Sequence, residues 1–271
     1  MTALKFSRKH LGIPYAVFIG AFVVFPLLLI IYYAFTDAET GKISLVNFID
    51  FFTSNANLTA LFTSFALALL TTAICLLIAY PTAYILARTN VNKNGIMLLL
   101  FILPMWINFV LRTAAMKELL YTIGMFNSNK MSFINTLIGM VYDYLPFTIL
   151  PIYTVLEKLD NNVLEASSDL GATGLQTLFK VTIPLSMPGI VSAITMVLLP
   201  TMTSYVISDT LGNGNITIIG KLIENQFSTM YNWNAGSAIA MVLLVLIFGT
   251  MLLTGKFSEK DTEDARGGGL W

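Results

Sequence analysis

Long runs of residues without charge recur along this chain and leave few folds open to it. A helix needs about 20 predominantly apolar residues to cross the hydrocarbon core of a bilayer. Six segments meet or approach that length: residues 11–35, 58–87, 96–111, 133–156, 188–208 and 235–254. Charged residues make up only 11% of the chain, whereas soluble domains have about a quarter. We therefore predict an all-α integral membrane protein with six transmembrane helices.

The distribution of lysine and arginine predicts which side of the membrane the chain ends occupy. With six spans both termini lie on one side, and the segments on that side hold ten of the fifteen basic residues. The positive-inside rule makes this side cytoplasmic. We therefore expect, in a cell (plasma or inner) membrane, a cytoplasmic amino terminus at residues 1–10. A six-helix transmembrane domain follows at residues 11–254, and then a disordered cytoplasmic tail at residues 255–271.

The net charge and the scarcity of reactive side chains exclude several classes of function. The net charge is zero, so the chain has no basic footprint for nucleic acid. Cys75 is the only cysteine and His10 the only histidine. These two residues exclude an internal disulfide and a His/Cys metal cluster. We expect no metal site and no catalytic residue on this chain.

The polar stretch at residues 157–187 separates the fourth apolar run from the fifth, and its first half has the pattern of a short helix. Asn162 with Glu165 three residues later predicts a capping box at the start of this helix. Gly171 is expected to end it, because glycine tolerates a left-handed conformation. The helix carries an apolar stripe at helical spacing, formed by Val163, Ala166 and Leu170.

The second half of this stretch has the pattern of another short helix. Thr173 with Gln176 predicts a second capping box. Pro184 is expected to end this helix and straighten the chain, because proline cannot sit in a helix interior. An apolar stripe is again present, formed by Leu175, Leu178 and Phe179. A short helix pair with an exposed apolar stripe is marginal alone and needs a surface on which to dock.

A motif lies within this polar stretch: Glu165-Ala166-Ser167, then Gly171, then Val181-Thr-Ile183-Pro184. It resembles the signature loop of the membrane subunits of binding-protein-dependent ABC importers, which has Glu-Ala-Ala and Gly at the same spacing, followed by Ile-x-Leu-Pro. Ser167, Val181 and Ile183 are mild departures from that form. The resemblance implies that residues 157–187 are the coupling loop, which fits a groove on a separate ATPase subunit. The residues that it assigns to this contact are Glu165, Ala166, Ser167, Asp169, Leu170, Gly171 and Pro184.

The resemblance also implies a fold and a set of partners. The fold is that of a type I ABC importer permease, with the coupling helix-turn-helix between the fourth and fifth spans. The partners are two ATPase subunits, a second permease subunit and an extracytoplasmic solute-binding protein. No cofactor is expected on this chain, since ATP and magnesium belong to the ATPase. The chain is thus expected to be a transport subunit and not an enzyme.

Three further segments are similar to the spermidine/putrescine permeases within that family. They begin with Pro104-Met-Trp106-Ile-Asn108, with Tyr144-Leu-Pro146-Phe, and with Tyr205-Val-Ile-Ser-Asp209. This similarity implies a polyamine as the solute and a second permease that is a different chain. Permeases for iron, sulfate and phosphonate share the general scaffold and remain alternatives.

The chemistry of a polyamine suggests which residues could form its path. A chain of ammonium groups joined by methylenes is matched by carboxylates and aromatic faces. The candidates are Trp106, Asp143, Tyr205 and Asp209, and the last two share a helical face because they are four residues apart. Three of them have a structural alternative: Asp143 could pair with Arg112, Asp209 could be a solvated helix-end residue, and Trp106 could pack in the core or face lipid.

Two other classes of membrane protein compete with this interpretation. A proton-coupled secondary transporter could use Asp143 or Asp209 as a proton carrier, since intramembrane carboxylates usually have a task or a partner. An intramembrane enzyme is the third class. The absence of histidine pairs and of a carboxylate-rich motif argues against it.

Overall fold

The structure is a computed structural model that describes residues 12–89, 95–127 and 131–267. In these ranges the regular secondary structure is helical, and a lone antiparallel bridge joins Thr36 to Ile43. The predicted amino-terminal segment 1–10 lies outside the described residues, as do Lys93, Lys130 and residues 268–271. The all-α prediction is therefore confirmed for the part of the chain that is described.

Fourteen α-helices follow one another in this described part. Their bounds are α1 Gly12–Ile19, α2 Phe25–Ala34, α3 Val46–Thr53, α4 Asn55–Arg88, α5 Ile96–Ile102, α6 Phe109–Thr122, α7 Ser132–Lys158, α8 Asn161–Asp169, α9 Gly174–Thr177, α10 Ile183–Leu185, α11 Met187–Thr203, α12 Tyr205–Leu211, α13 Ile219–Glu224 and α14 Trp233–Gly267. Short π-helical segments at Gly20–Val24, Leu178–Thr182 and Asn225–Thr229 and 3₁₀ turns at Leu103–Trp106 and Met125–Asn127 lie between them.

Four helical segments are long and apolar enough to cross a membrane: Pro14–Ala34, Asn55–Arg88, Ser132–Lys158 and Trp233–Leu252. Two bent pairs also qualify if each is taken as one span, Ile96–Trp106 with Phe109–Thr122 and Gly174–Leu185 with Met187–Thr203. The count of six predicted from the sequence is thus the upper number that the helices allow.

The third predicted span is not the single helix expected at residues 96–111. Its two parts meet at an angle of 96°. Pro104 tightens the chain into a 3₁₀ turn, and the Asn108 side chain then accepts the backbone N–H groups of Val110 and Leu111, which starts a new helix. The residues that follow residue 111, between the third and fourth predicted spans, continue as helix α6 to Thr122.

The carboxyl ends of the fifth and sixth predicted spans also differ from expectation. The fifth span ends at Thr203 and not at residue 208, because the chain breaks at Ser204 before α12 begins. Helix α14 continues to Gly267, whereas disorder was predicted from residue 255. No glycine or proline interrupts residues 256–266, so the local sequence does not stop the helix.

Two π-helical segments explain how prolines are accommodated inside helical stretches. The N–H groups of Phe25 and Ile183 bond to the carbonyls of Gly20 and Leu178, five residues back, and a proline follows each of them. A proline ring clashes with the carbonyl four residues before it, and the wider π turn relieves that clash. The prediction that the chain straightens at Pro184 is therefore wrong, since helix α10 includes this residue.

The described chain forms two compact units: one from residues up to Leu58 and Leu222–Val245, the other from Thr59–Lys221 and residues from Leu246. In the larger unit α7 packs on α11, and a Cβ atom on Gly189 would lie 2.9 Å from the carbonyl oxygen of Pro151. Small residues of α4 are buried in the core of the same unit. This core contains Ala79, Ala83, Ile149, Ile152, Leu156 and Ala193.

In the smaller unit, the side chains of two asparagines donate hydrogen bonds to the carboxyl end of the first span. The Asn47 amide donates to the carbonyls of Ala34 and Thr36 at 3.1 and 3.0 Å. The Asn234 amide donates to the carbonyls of Tyr33 and Thr36 at 3.1 and 2.5 Å. Carbonyls that lack helical partners at this end thereby gain side-chain donors.

Candidate functional site

The coupling loop at residues 157–187 is a pair of short helices joined by a glycine turn. Helix α8 ends at Asp169, and Gly171 follows with φ of +83°, which confirms the predicted left-handed turn. The capping box of Thr173 and Gln176 is present at the start of α9. The first capping box was wrongly placed: Asp160, not Asn162, caps α8 by accepting the Asn162 N–H at 3.0 Å.

A buried hydroxyl pair holds the two short helices together. Ser167 and Thr177 are joined through their Oγ and Oγ1 atoms at 2.9 Å, and both side chains are buried. Ser167 Oγ also donates to the Leu164 carbonyl at 2.8 Å. Ser167, which the resemblance assigned to the ATPase contact, therefore binds within the loop. The other assigned residues, Glu165, Ala166, Asp169, Leu170, Gly171 and Pro184, are exposed.

The predicted apolar stripes of the loop point outward. Leu170 is 90% exposed, and Leu175 and Phe179 are 69% and 64% exposed. Val163 is exposed as well. Exposed apolar side chains grouped in this way indicate a protein contact surface. The two helices thus expose apolar side chains of the predicted stripes, and their docking on a partner stays a prediction.

Helix α4 bonds to both ends of the coupling loop. Near the start of the loop, Arg88 donates to the Leu159 carbonyl at 2.8 Å and to Asn161 Oδ1 at 2.5 Å. At its end, the Tyr80 hydroxyl lies 2.9 Å from Ser186 Oγ, where α10 turns into α11. Sequence reasoning missed Tyr80 and Arg88, because their partners are about 70 to 110 residues away in the chain and only packing brings them together.

Within the larger unit, a cavity of about 260 Å³ lies where the third and fifth predicted spans are broken. Ile107 and Phe109 flank the first break, and Ser204 marks the second. Broken membrane helices leave backbone groups that are tolerated where they line a cavity. The remaining lining residues are Met105, Arg112, Asp143, Tyr144, Phe147 and Ile207.

Asp143 forms a buried ion pair with Arg112 in the wall of this cavity. The two side chains are 4% and 6% exposed, and Arg112 Nε donates to Asp143 Oδ1. Thr113 Oγ1 donates to Asp143 Oδ2 at 3.2 Å, and Arg112 Nη1 donates to the Pro104 carbonyl at 2.8 Å. The alternative in which Asp143 pairs with Arg112 is thus the arrangement in this structure. The guanidinium cancels the carboxylate charge, so this wall of the cavity carries no net charge.

The other three candidate path residues lie outside the lining of this cavity. Trp106 is 77% exposed, at the end of the 3₁₀ turn. Tyr205 and Asp209 share the short helix α12, as their spacing predicted. Lys221 Nζ lies 3.5 Å from Asp209 Oδ2 and 5.8 Å from the centroid of the Tyr205 ring. The contact of Lys221 could not be read from the sequence.

A hydroxyl pair that sequence reasoning also missed lines the cavity. The Tyr144 hydroxyl bonds to Ser204 Oγ and so connects α7 to the break before α12. The sequence indicated Tyr144 only as the start of a segment similar to the spermidine/putrescine permeases. No group of three or more histidine, cysteine or acidic side chains that could hold a metal ion occurs within the described ranges.

These features define a helical membrane protein with an exposed apolar loop between two of its spans and a cavity between broken helices. The family described as "Binding-protein-dependent transport system inner membrane component" matches residues 79–254. The chain belongs to this family.

Named relatives share much of the sequence. The spermidine/putrescine transport system permease protein PotB of Haemophilus influenzae is 36% identical over 248 residues, which cover 83% of this chain and 85% of that protein. PotB of Escherichia coli K12 is 37% identical over 203 residues, which cover 70% and 74% of the two chains. A chain of the crystal structure of a bacterial alginate ABC transporter, in complex with an alginate pentasaccharide-bound periplasmic protein, has a TM-score of 0.75 at 14% identity. The match covers 93% of this chain and 93% of that chain, and it shows a similarity of fold alone.

The chain is therefore the permease of an ABC importer, a multi-pass protein of the inner membrane. It is a transport component and not an enzyme. Such a permease works with an ATPase and a solute-binding protein. The proton-coupled transporter and the intramembrane enzyme are thereby excluded.

Proposed function

We propose that this permease carries spermidine or putrescine across the inner membrane. The observation that carries the proposal is the identity of 36–37% to spermidine/putrescine permeases over most of the chain. The chemistry of the site supports it. Asp209 beside Tyr205 offers a carboxylate and an aromatic face, which is the combination that an alkylammonium group prefers.

The solute is proposed to pass Tyr205 and Asp209 first and the cavity afterwards, with Trp106 at the break of the third span. Helix α11 has 17 residues, so it separates α12 from the coupling loop by about 25 Å. This distance is close to the thickness of the hydrocarbon core. Asp143 contributes by neutralising Arg112, because an uncompensated guanidinium in the cavity wall would repel a polycation.

We expect cells that lack their own polyamine uptake to take up radiolabelled spermidine when they express the complete transporter. Unlabelled putrescine should compete with the labelled solute, and sulfate and phosphonate should not, because anions lack the ammonium groups that the site matches. Depleting ATP while keeping the proton gradient should abolish uptake. Transport of sulfate, phosphonate or iron without transport of polyamines would contradict the proposal.

The proposed complex contains two copies of the ATPase, a second permease that is a different chain, and a solute-binding protein outside the membrane. ATP and magnesium would lie on the ATPase, and no cofactor on this chain. The coupling loop is proposed to face the cytoplasm, as are both termini. The positive-inside count supports this orientation, although Arg112, counted as an outer charge, is buried in the cavity wall.

A cysteine at position 168 tests this orientation. Ser168 is exposed on α8, and the single native cysteine, Cys75, is buried. In the Cys75→Ala background, Ser168→Cys should resist a membrane-impermeant thiol reagent in intact cells and react in inside-out vesicles. Glu39→Cys, at an exposed position between the first two spans, is the matched control and should show the opposite pattern. Labelling of Ser168→Cys from outside would reverse the proposed orientation.

A further inference from the structure

The Lys221 side chain lies against the two groups that we assign to the solute path on α12. Its ammonium nitrogen is 3.5 Å from Asp209 Oδ2 and 5.8 Å from the centroid of the Tyr205 ring. A carboxylate with an adjacent aromatic face binds alkylammonium ions by ion pairing and by cation–π attraction. The end of a lysine side chain is itself a primary ammonium on a methylene chain. Lys221 therefore presents to Asp209 and Tyr205 the same chemical group as the end of a polyamine.

The backbone that carries Lys221 is fixed by close packing. A Cβ atom on the preceding Gly220 would lie 2.4 Å from the carbonyl oxygen of Thr203 at the end of α11, so only glycine fits there. Ile219 is buried, and its N–H donates to Ser64 Oγ at 2.7 Å. The start of α13 is thus anchored beside α12. Lys221 is a flexible side chain on a fixed base within reach of Asp209.

The contact is of the kind that exchanges readily. The Asp209 side chain is 51% exposed and the Lys221 side chain 25% exposed. Exposed ion pairs contribute little to stability, because water and salt screen them and ordering the side chains opposes them. Replacing one ammonium by another leaves the carboxylate paired throughout. A polyamine has additional ammonium groups and methylenes, which a single tethered lysine cannot supply.

We propose that Asp209 and Tyr205 form an ammonium-binding site that Lys221 occupies as a tethered competitor until a polyamine displaces it. The inference rests on the function proposed above and adds a residue that sets specificity. When solute is absent, the lysine keeps the carboxylate compensated. When solute arrives, a single ammonium only matches the lysine, whereas a linear polyamine brings further groups and wins the exchange. The site would thus favour polyamines over monoamines.

The test is a double-mutant cycle on the complete membrane complex of permeases and ATPases in nanodiscs. The probe is a photoreactive spermidine analogue, and the readout is the concentration of unlabelled spermidine that halves its attachment to this chain. Lys221→Met removes the ammonium and keeps an apolar stem. It should lower the half-protecting concentration by up to about fivefold, the factor that an exposed ion pair contributes to an equilibrium. In the Asp209→Asn background the lysine has no carboxylate to occupy and keeps only its contact with the Tyr205 ring, so Lys221→Met should have a smaller effect.

Lys117→Met is the matched control. Lys117 Nζ lies 5.9 Å from the centroid of the Phe126 ring, so this variant loses the same charge and a similar aromatic contact at a different place. Its half-protecting concentration should equal that of the unmodified protein. The inference is overturned if Lys221→Met leaves protection unchanged or weakens it, or acts equally with and without Asp209. The same holds if spermidine protects nothing on this chain. If any of these results is obtained while the transporter still takes up spermidine, only the tethered competitor is refuted. If the transporter takes up no spermidine, both proposals are refuted.

Discussion

Replacing Gly171 with valine is expected to abolish transport while leaving the protein inserted in the membrane. Gly171 has φ of +83° between α8 and α9. A β-branched residue is a strong outlier in this left-handed region, and each residue forced into it costs about 1–2 kcal/mol even without branching. The turn should open and displace the exposed face of Leu170 and Leu175 from its position. Copurification of the ATPase with the permease, and solute uptake per complex, measure the effect.

Gly174→Val is the matched control for this experiment. A Cβ atom meets nothing within 4 Å at either glycine, but Gly174 is the first residue of helix α9 and lacks the positive φ. Valine there carries no cost in helix propensity, because glycine is the poorer helix former of the two. The control should keep both ATPase binding and transport. Normal ATPase binding and transport in Gly171→Val would show that this turn is dispensable. An equal loss of transport in both variants would show that the added side chain, and not the conformation of the turn, is the cause.

Breaking the ion pair between Arg112 and Asp143 is expected to destabilise the permease strongly. The two side chains are 6% and 4% exposed, and removing one partner of a buried pair costs about 3–5 kcal/mol. Contact with the cavity allows some water to reach the remaining charge, which puts the expected loss at the lower end of that range. Arg112→Met and Asp143→Asn should each lower the melting temperature and the yield of purified complex.

The double variant Arg112→Met/Asp143→Leu should recover stability, because replacing both charges by apolar groups is often neutral. Thr113→Val is the control that keeps both charges and removes the hydroxyl, which bonds to Asp143 Oδ2 and to the Phe109 carbonyl, with an expected cost of about 1 kcal/mol. Thermal unfolding in detergent compares the four variants. A double variant as unstable as the two single ones would show that charge imbalance is not the cause. Asp143→Asn should also reduce spermidine uptake per assembled complex, because it leaves the Arg112 cation in the cavity wall.

Local patterns predicted those parts of the fold that depend on neighbouring residues. The turn at Gly171 and the capping box of Thr173 and Gln176 are present because their partners lie within three or four residues. The prediction of the first capping box was wrong because two residues that can cap a helix lie close together. Asp160, two residues before Asn162, is the one that caps α8. The effect of Pro184 was misjudged for a related reason, because the preceding π turn removes the clash that a regular helix would have.

The sites of the molecule were less predictable, because they depend on residues far apart in the chain. From the sequence, Asp143 could either line the solute path or pair with Arg112. The packing of α6 on α7 decides for the ion pair. Nothing near Arg88 in the sequence indicates its bonds to Leu159 and Asn161. The contact of Lys221 with Asp209 requires a turn between α12 and α13 and a glycine that allows close approach to Thr203.

The sequence by itself determined that the chain is helical, that it spans a membrane, and that a polar loop with an apolar stripe lies between its fourth and fifth apolar runs. These properties follow from hydrophobic length and from caps and turns, whose energies are set within a few residues. Only the tertiary structure decided where the spans bend, which charges neutralise each other and which cavity they line. Burial makes those pairings necessary, since an ion in an apolar interior must find a partner, and which partner it finds depends on how the helices pack.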